Sequence, residues 1–174
     1  MGKPFTVNIN RFDPYKSYRF QVFIGQSTTA AAAVSKVGGL KRSSDVVEYK
    51  EGGNPIILKG PGRMKYEPIT LERGITHSTE FSDWADAAQK LDHGHPSTSL
   101  AQLRQTLHIV LQNEQGQPAH SYTVYRAWVS EYQALPDLDA GTNAIAIEHI
   151  KLEHEGWEHD ATPTEPDETQ AAGG

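Results

Sequence analysis

The side chains that could do chemistry in this 174-residue sequence are eight histidines and 22 acids, with no cysteine beside them. His93 and His95 flank Gly94 ahead of Pro96, and His149, His154 and His159 form a loose series. Imidazoles bind zinc in sets of three or four, on elements that aim them at one point. His93 and His95 sit in a Gly/Pro loop with no third ligand close in sequence. His149 and His154 are five apart, so on a strand they face opposite ways. The histidines therefore read as solvated surface groups, and no metal site is expected. The pair Asp137 and Asp139 lies beside Pro136 and reads as turn chemistry. No Gly-x-Ser-x-Gly elbow, phosphate loop or dinucleotide fingerprint occurs. Catalytic residues, cofactor-binding residues and metal ligands are all expected to be absent, and no enzyme is specified.

The elements that would position these groups are mostly strands. Tyr18, Phe20, Val22 and Ile24 share one face of a period-two run over 17–24,. Residues 32–37 follow as a second strand, with Gly38-Gly39 as a turn or bulge. Val46 to Glu51 reads as a third strand, closed by Gly52-Gly53-Asn54-Pro55 and answered by Ile56 to Leu58. This makes a hairpin over 41–59. It is largely charged, so it should project from the body. Residues 66–72 form another strand, with Pro68 suggesting an edge or a bulge. Phe81, Trp84, Ala85, Ala88 and Leu91 make one apolar stripe, predicting a helix over 79–91 capped by Ser78 or Thr79. Asp83, Asp86, Gln89 and Lys90 then face outward.

The second half is all strands. Leu107, Ile109 and Leu111 alternate. In the run 122–132, Val124 and Trp128 fall on one face, and Tyr125, Ala127 and Val129 on the other. Ile145 and Ile147 are out of phase with Ile150 and Leu152, which predicts a bulge near Glu148-His149. The expected fold is mainly β: a small β-sandwich or barrel with one flanking α-helix and a projecting β-hairpin. One domain spans 1–157, entered by an arm at 1–16. An acidic tail at 158–174 is expected to be disordered.

Composition narrows the class further. Apolar residues make up 37% of the chain, few enough to suggest that assembly shares the work of burial. No run reaches the ~20 apolar residues of a membrane helix, and the start lacks a signal-peptide core, so cytoplasmic synthesis is expected. Of the net charge of −6, five units lie in the 158–174 tail. Residues 1–90 carry 13 bases against 9 acids, and 91–157 carry 3 against 8. A body this close to neutral excludes general nucleic-acid binding.

The ordered segments Asp13-Pro14-Tyr15, Tyr18 to Gly25, Val34 to Leu40, Val46 to Asn54, Pro61-Gly62, Ile69 to Thr76 and Phe81 to Trp84 carry a resemblance. It continues more loosely through Tyr125 to Trp128, Leu135-Pro136 and 143–157. The set resembles the tail tube proteins of contractile phages and the inner tube proteins of phage-tail-like contractile injection systems. The resemblance implies a homo-hexameric ring, stacked into a hollow tube within a contractile sheath, with DNA or cargo protein in the lumen. It further implies contacts with the sheath protein and with baseplate and tube-terminating proteins. It places Glu48, Tyr49, Lys50, Glu51, Gly52, Gly53 and Asn54 in a hairpin that bridges rings. It sets the helix face of Asp83, Asp86, Gln89 and Lys90 toward the sheath. The product would be a phage tail or an injection particle, released or driven into a target cell. Two other readings stay open from sequence: a tube initiator or baseplate adaptor of the same fold, and a metal- or ligand-binding β-barrel enzyme. From the residues, the opposite charges of the two halves would suit stacking, and strands 104–112, 119–132 and 143–157 are long enough to pair between subunits.

Overall fold

The computed structural model describes residues 19–31, 34–53, 55–92, 103–113, 116–139, 141 and 144–160. In chain order these form β1 (Phe20–Ile24), β2 (Val34–Val37), β3 (Arg42–Tyr49), β4 (Leu58–Tyr66), β5 (Ile69–Gly74), α1 (Glu80–Asp92), β6 (Gln105–Gln112), β7 (Pro118–Gln133), β8 (Ile147–Glu153) and β9 (Gly156–His159). The fold is mainly β with a flanking helix, as the alternation implied. The arm at 1–16 and the loop of His93 and His95 lie outside the described residues.

One antiparallel network runs β1-β6-β7-β8-β5-β2, with β9 also on β7. Its organising strand is β7. The first half of β7 pairs with β6 and β9, and its second half pairs with β8. Two sheets thus share one 16-residue strand. Between them lie Val22, Leu107, Ile109 and Val124 from one side and Ile69, Leu71, Val129, Ile150 and Leu152 from the other. Helix α1 lies against β7 and closes the core with Phe81 and Trp84, both buried. The Trp84 indole N–H donates to Leu103 O at 2.9 Å, which satisfies its polar atom inside the core.

Two strand phases differ from the sequence reading, each for a local reason. In β7, Leu107 faces Val124 but Gln105 faces Ala127, so β7 carries one extra residue. Arg126 takes a positive φ of 52° there. This bulge turns Val124, Ala127 and Val129 all inward and leaves Tyr125 exposed,. Val124 therefore shares a face with Ala127 and Val129, and Tyr125 does not. In β8 the expected bulge at Glu148-His149 does not form. The register with β5 runs unbroken from Ile69↔Leu152 to Gly74↔Ile147. Glu148 occupies the inward phase with Ile150 and Leu152, while Ile145 and Ile147 are exposed. Pattern reading mistook a buried acid for a solvent position.

Other boundaries shift as well. The run at 66–72 is two strands: Tyr66 ends β4, and β5 begins just after Pro68, inside the sheet between β2 and β8. Of the acidic segment expected at 158–174, residues 158–160 are ordered against β7 and 161–174 lie outside the described residues. Glu158 and His159 pair with Thr123 and Tyr122 in β9. The Asp160 N–H donates to Ser121 O at 2.9 Å. Strands β6 and β8 use both edges within the chain, as does β7 up to Ala127, while Trp128 to Gln133 of β7 pair on one edge only, with β8. Among the described residues, the one-sided backbone of this network is β1, β2, β9 and the end of β7 from Trp128.

Candidate assembly interface

The hairpin stands apart from this core. Among the described residues β3 and β4 pair only with each other in a two-stranded sheet, and all eight residues of β3 are exposed. Its register runs from Arg42↔Tyr66 at the root to Tyr49↔Leu58 near the tip. Gly53, at φ 90°, makes the turn in a conformation that glycine adopts without strain,. The ladder is interrupted between Ser44 and Val46, where β4 carries one extra residue opposite Asp45. Gly62 sits opposite it, where a Cβ would stand 2.9 Å from Asp45 O and 3.1 Å from Val47 Cγ2. Only glycine lets the two backbones approach this closely.

Part of the hairpin charge cancels locally. Lys59 meets Glu48 at 3.2 Å, and Lys65 meets Asp45 at 2.9 Å. What remains conspicuous is apolar surface. Val46, Val47, Tyr49, Ile56, Ile57 and Met64 are all exposed, Val46 and Ile56 by more than 60%. A two-stranded ribbon with no core behind it is marginal in water, and a soluble chain rarely shows such a strip without a partner. Glu48, Tyr49, Lys50, Glu51, Gly52 and Gly53 are exposed on the same ribbon. Asn54 lies outside the described residues. The sequence reading saw the charges of this hairpin and missed its apolar strip, although the Val46-Val47 and Ile56-Ile57 doublets are the signal that shows it.

The root of the hairpin is anchored. The Glu67 N–H donates to Lys41 O at 3.1 Å. His154 Nε2 donates to Glu67 O at 3.0 Å, and its ring lies tilted against Tyr66. The Arg42 guanidinium lies 5.3 Å from the Trp157 ring. His154 Nδ1 and Trp157 Nε1 are buried at this root without hydrogen-bond partners among the described residues.

Helix α1 presents Asp83, Asp86, Gln89 and Lys90 to solvent, as its stripe implied. Asp83 also accepts from Thr79 Oγ1 at 2.8 Å, so it helps to hold the helix start. Beneath that start lies a buried charge pair. Arg73 and Glu148 are 1% and 5% exposed. Arg73 Nε donates to Glu148 Oε1 at 2.5 Å. Its Nη2 donates to Ser78 O at 2.7 Å and its Nη1 to Ser78 Oγ at 3.2 Å. The guanidinium lies 4.0 Å from the Phe81 ring, a favourable cation–π position. Tyr132 donates to Glu148 Oε2 at 2.9 Å. Burial, and then this hydrogen bond, push the Tyr132 hydroxyl above the usual tyrosine range. Five groups thus clamp the loop before α1 to β5, β7 and β8.

The histidines do not converge. His149 Nε2 lies 3.6 Å from Glu131, His154 holds the hairpin root, and His159 Nε2 meets His120 Nδ1 at 2.9 Å. Among the described residues no three His, Cys, Asp or Glu side chains are grouped to hold a metal ion. No described helix is long and apolar enough to cross a membrane.

Comparison with known proteins places this geometry. Solved structures with the same fold include a chain from an extracellular contractile injection system, the PVC sheath–tube complex in the extended state. It is 27% identical, has a TM-score of 0.71, and the match covers 86% of this chain and 93% of that one. A chain from the PVC sheath/tube terminator in the extended state matches at 26% identity and TM-score 0.71, covering 86% and 99%. A chain from the six-fold symmetrised baseplate of the anti-feeding prophage shares the fold at 23% identity and TM-score 0.69, covering 86% and 97%. The search of curated proteins returns no match. Residues 16–158, which take in the helix, the hairpin and the β network up to the last residue of β9, match the T4-like virus tail tube protein gp19, and the chain belongs to that family.

Proposed function

We infer that this chain is a structural subunit of the inner tube of a contractile tail or injection system. It works as a homo-hexameric ring stacked on further rings, with no enzymatic role. Family membership over residues 16–158 gives the tube. The observation that carries the ring-to-ring reading is the hairpin, whose strands pair with no other described strand and which exposes six large apolar side chains. In this reading Glu48 to Asn54 bridge rings, and Asp83, Asp86, Gln89 and Lys90 face a sheath protein. The one-sided strands β1, β2 and β9 and the end of β7 from Trp128 give a ring the backbone edges it needs to close. Baseplate and terminating proteins meet the tube at its ends, and DNA or cargo protein passes through its lumen. The subunit is made in the cytoplasm and then built into the particle.

The test is self-assembly of the purified chain. Electron microscopy at high concentration is expected to show rings and stacks. A strictly monomeric protein would refute the reading. Exchanging Lys50 and Glu51 (Lys50→Glu with Glu51→Lys) should impair stacking while rings persist; unchanged stacking would remove the hairpin tip from the contact. A tube-capping or initiating subunit is the second reading, favoured by the equal likeness to the chain from the sheath/tube terminator complex. Single rings that never lengthen would select it.

A further inference from the structure

The hairpin leaves one end of the molecule, and a second apolar surface lies at the other. At the hairpin end, Gly38 N–H donates to Thr70 O, and Glu67 N–H to Lys41 O. Ile69 and Leu152 pair just inside this end. From there β5 runs to Gly74, opposite Ile147, a span of roughly 17 Å at about 3.3 Å per residue. At that far end Ile75 N–H donates to Ala146 O at 3.0 Å, and β7 finishes nearby, with Gln133 facing His149. The loop joining β7 to β8 therefore emerges here too. Ile75, Leu135, Leu138, Ile145 and Ile147 are all exposed at this end, Leu138 by 69% and Ile145 by 83%.

The two surfaces also differ in charge. Residues 42–66 hold five bases and three acids, a net of +2. Residues 127–150 hold no Lys or Arg. Of their acids, Glu131 stands level with Lys151 and Thr70 near the hairpin end and Glu148 is committed to Arg73, so the outward acids of the far end are Asp137 and Asp139, a net of −2. The hairpin is exposed along β3, so it is not laid back over its own sheet toward that far end. Two apolar surfaces of opposite charge on opposite ends of one chain form a heterologous pair, which repeats along an axis rather than closing.

We propose that the hairpin of one copy docks on the Ile75, Leu135, Leu138, Ile145 and Ile147 end of the next copy. This deepens the tube reading and rests on it, because it names the receiving surface. Apolar contact supplies the adhesion, and the opposite charges fix which end meets which. The division by charge is therefore by end of the molecule and not by half of the sequence, since β5 from the first half lies between β2 and β8.

The chain has no cysteine, so engineered thiols report on this contact without background. A protein carrying Val47→Cys and Ile145→Cys is expected to form a ladder of disulfide-linked multimers on oxidation, while each single variant stops at dimers or below. Leu138→Arg with Ile145→Arg is expected to abolish stacks. Both sites are solvent-exposed, so the melting temperature should hold. Asp137→Lys should weaken stacking, and adding Lys50→Glu should restore it. Long tubes that survive Leu138→Arg with Ile145→Arg, or that give no ladder from positions 47 and 145, would overturn this docking and leave the tube reading intact. A wild-type chain that forms neither rings nor tubes would overturn both.

Discussion

The end of the sheet around Arg73 and the hairpin of β3 and β4 solve opposite problems. Around Arg73 the chain buries a full charge pair and satisfies it with Ser78, Tyr132 and the Phe81 ring. In the hairpin it leaves valines and isoleucines in water. The first arrangement is complete within one subunit. The second is complete only when something covers it. The contrast teaches that apolar exposure sets the hairpin apart more clearly than charge does, because two of its three acids are already paired with lysines on the same ribbon.

The contrast breaks first, and most strongly, at Glu148. Glu148→Ala leaves the buried Arg73 with only the half-exposed Glu80 carboxylate, 4.0 Å away, and is expected to cost about 3 kcal/mol, read as a lower midpoint in urea unfolding. A cost below about 1 kcal/mol would mean that water reaches the pair. Next comes Gly62→Ala, whose Cβ would press on Asp45 O and Val47 Cγ2. It should cost about 1–3 kcal/mol, and because the hairpin is separate the loss should appear as faster amide exchange in β3 and β4 with β5 to β8 unchanged. Smaller still is Val47→Ser. Removing an exposed apolar group should move monomer stability by less than about 0.5 kcal/mol, yet stacking should weaken. If both change together, the hairpin is part of the core after all. The smallest effect sharpens the Arg73 side. The raised Tyr132 hydroxyl favours its protonated form in the folded chain. Its contribution is therefore whole below the ordinary tyrosine value near 10 and is lost as pH rises through the raised one. Tyr132→Phe should flatten the alkaline fall in stability.

Much of this was legible in the sequence, and what was not has definite causes. The alternation at Phe20, Val22 and Ile24 and at Leu107 and Ile109 survived because those strands face one core on one side. The helix stripe of Phe81, Trp84 and Ala85 survived for the same reason. The β7 phase was misread because a bulge at Arg126 is a backbone event with no residue-type signature: arginine at positive φ is uncommon. The β8 phase was misread because Glu148 is buried by a partner 75 residues away, which no local window contains. The receiving surface of Ile75, Leu138 and Ile145 was invisible because only the folded topology brings those residues to one end.

One consequence follows from the shared strand. A ladder pulled along its strands must break many hydrogen bonds at once, whereas a hairpin pulled open at its tip yields one rung at a time. β7 is held lengthwise by β6 and β9 along its first half and by β8 along its second. A thrust along that strand is carried in shear by both sheets together, so the body should transmit force stiffly while its hairpin gives way first.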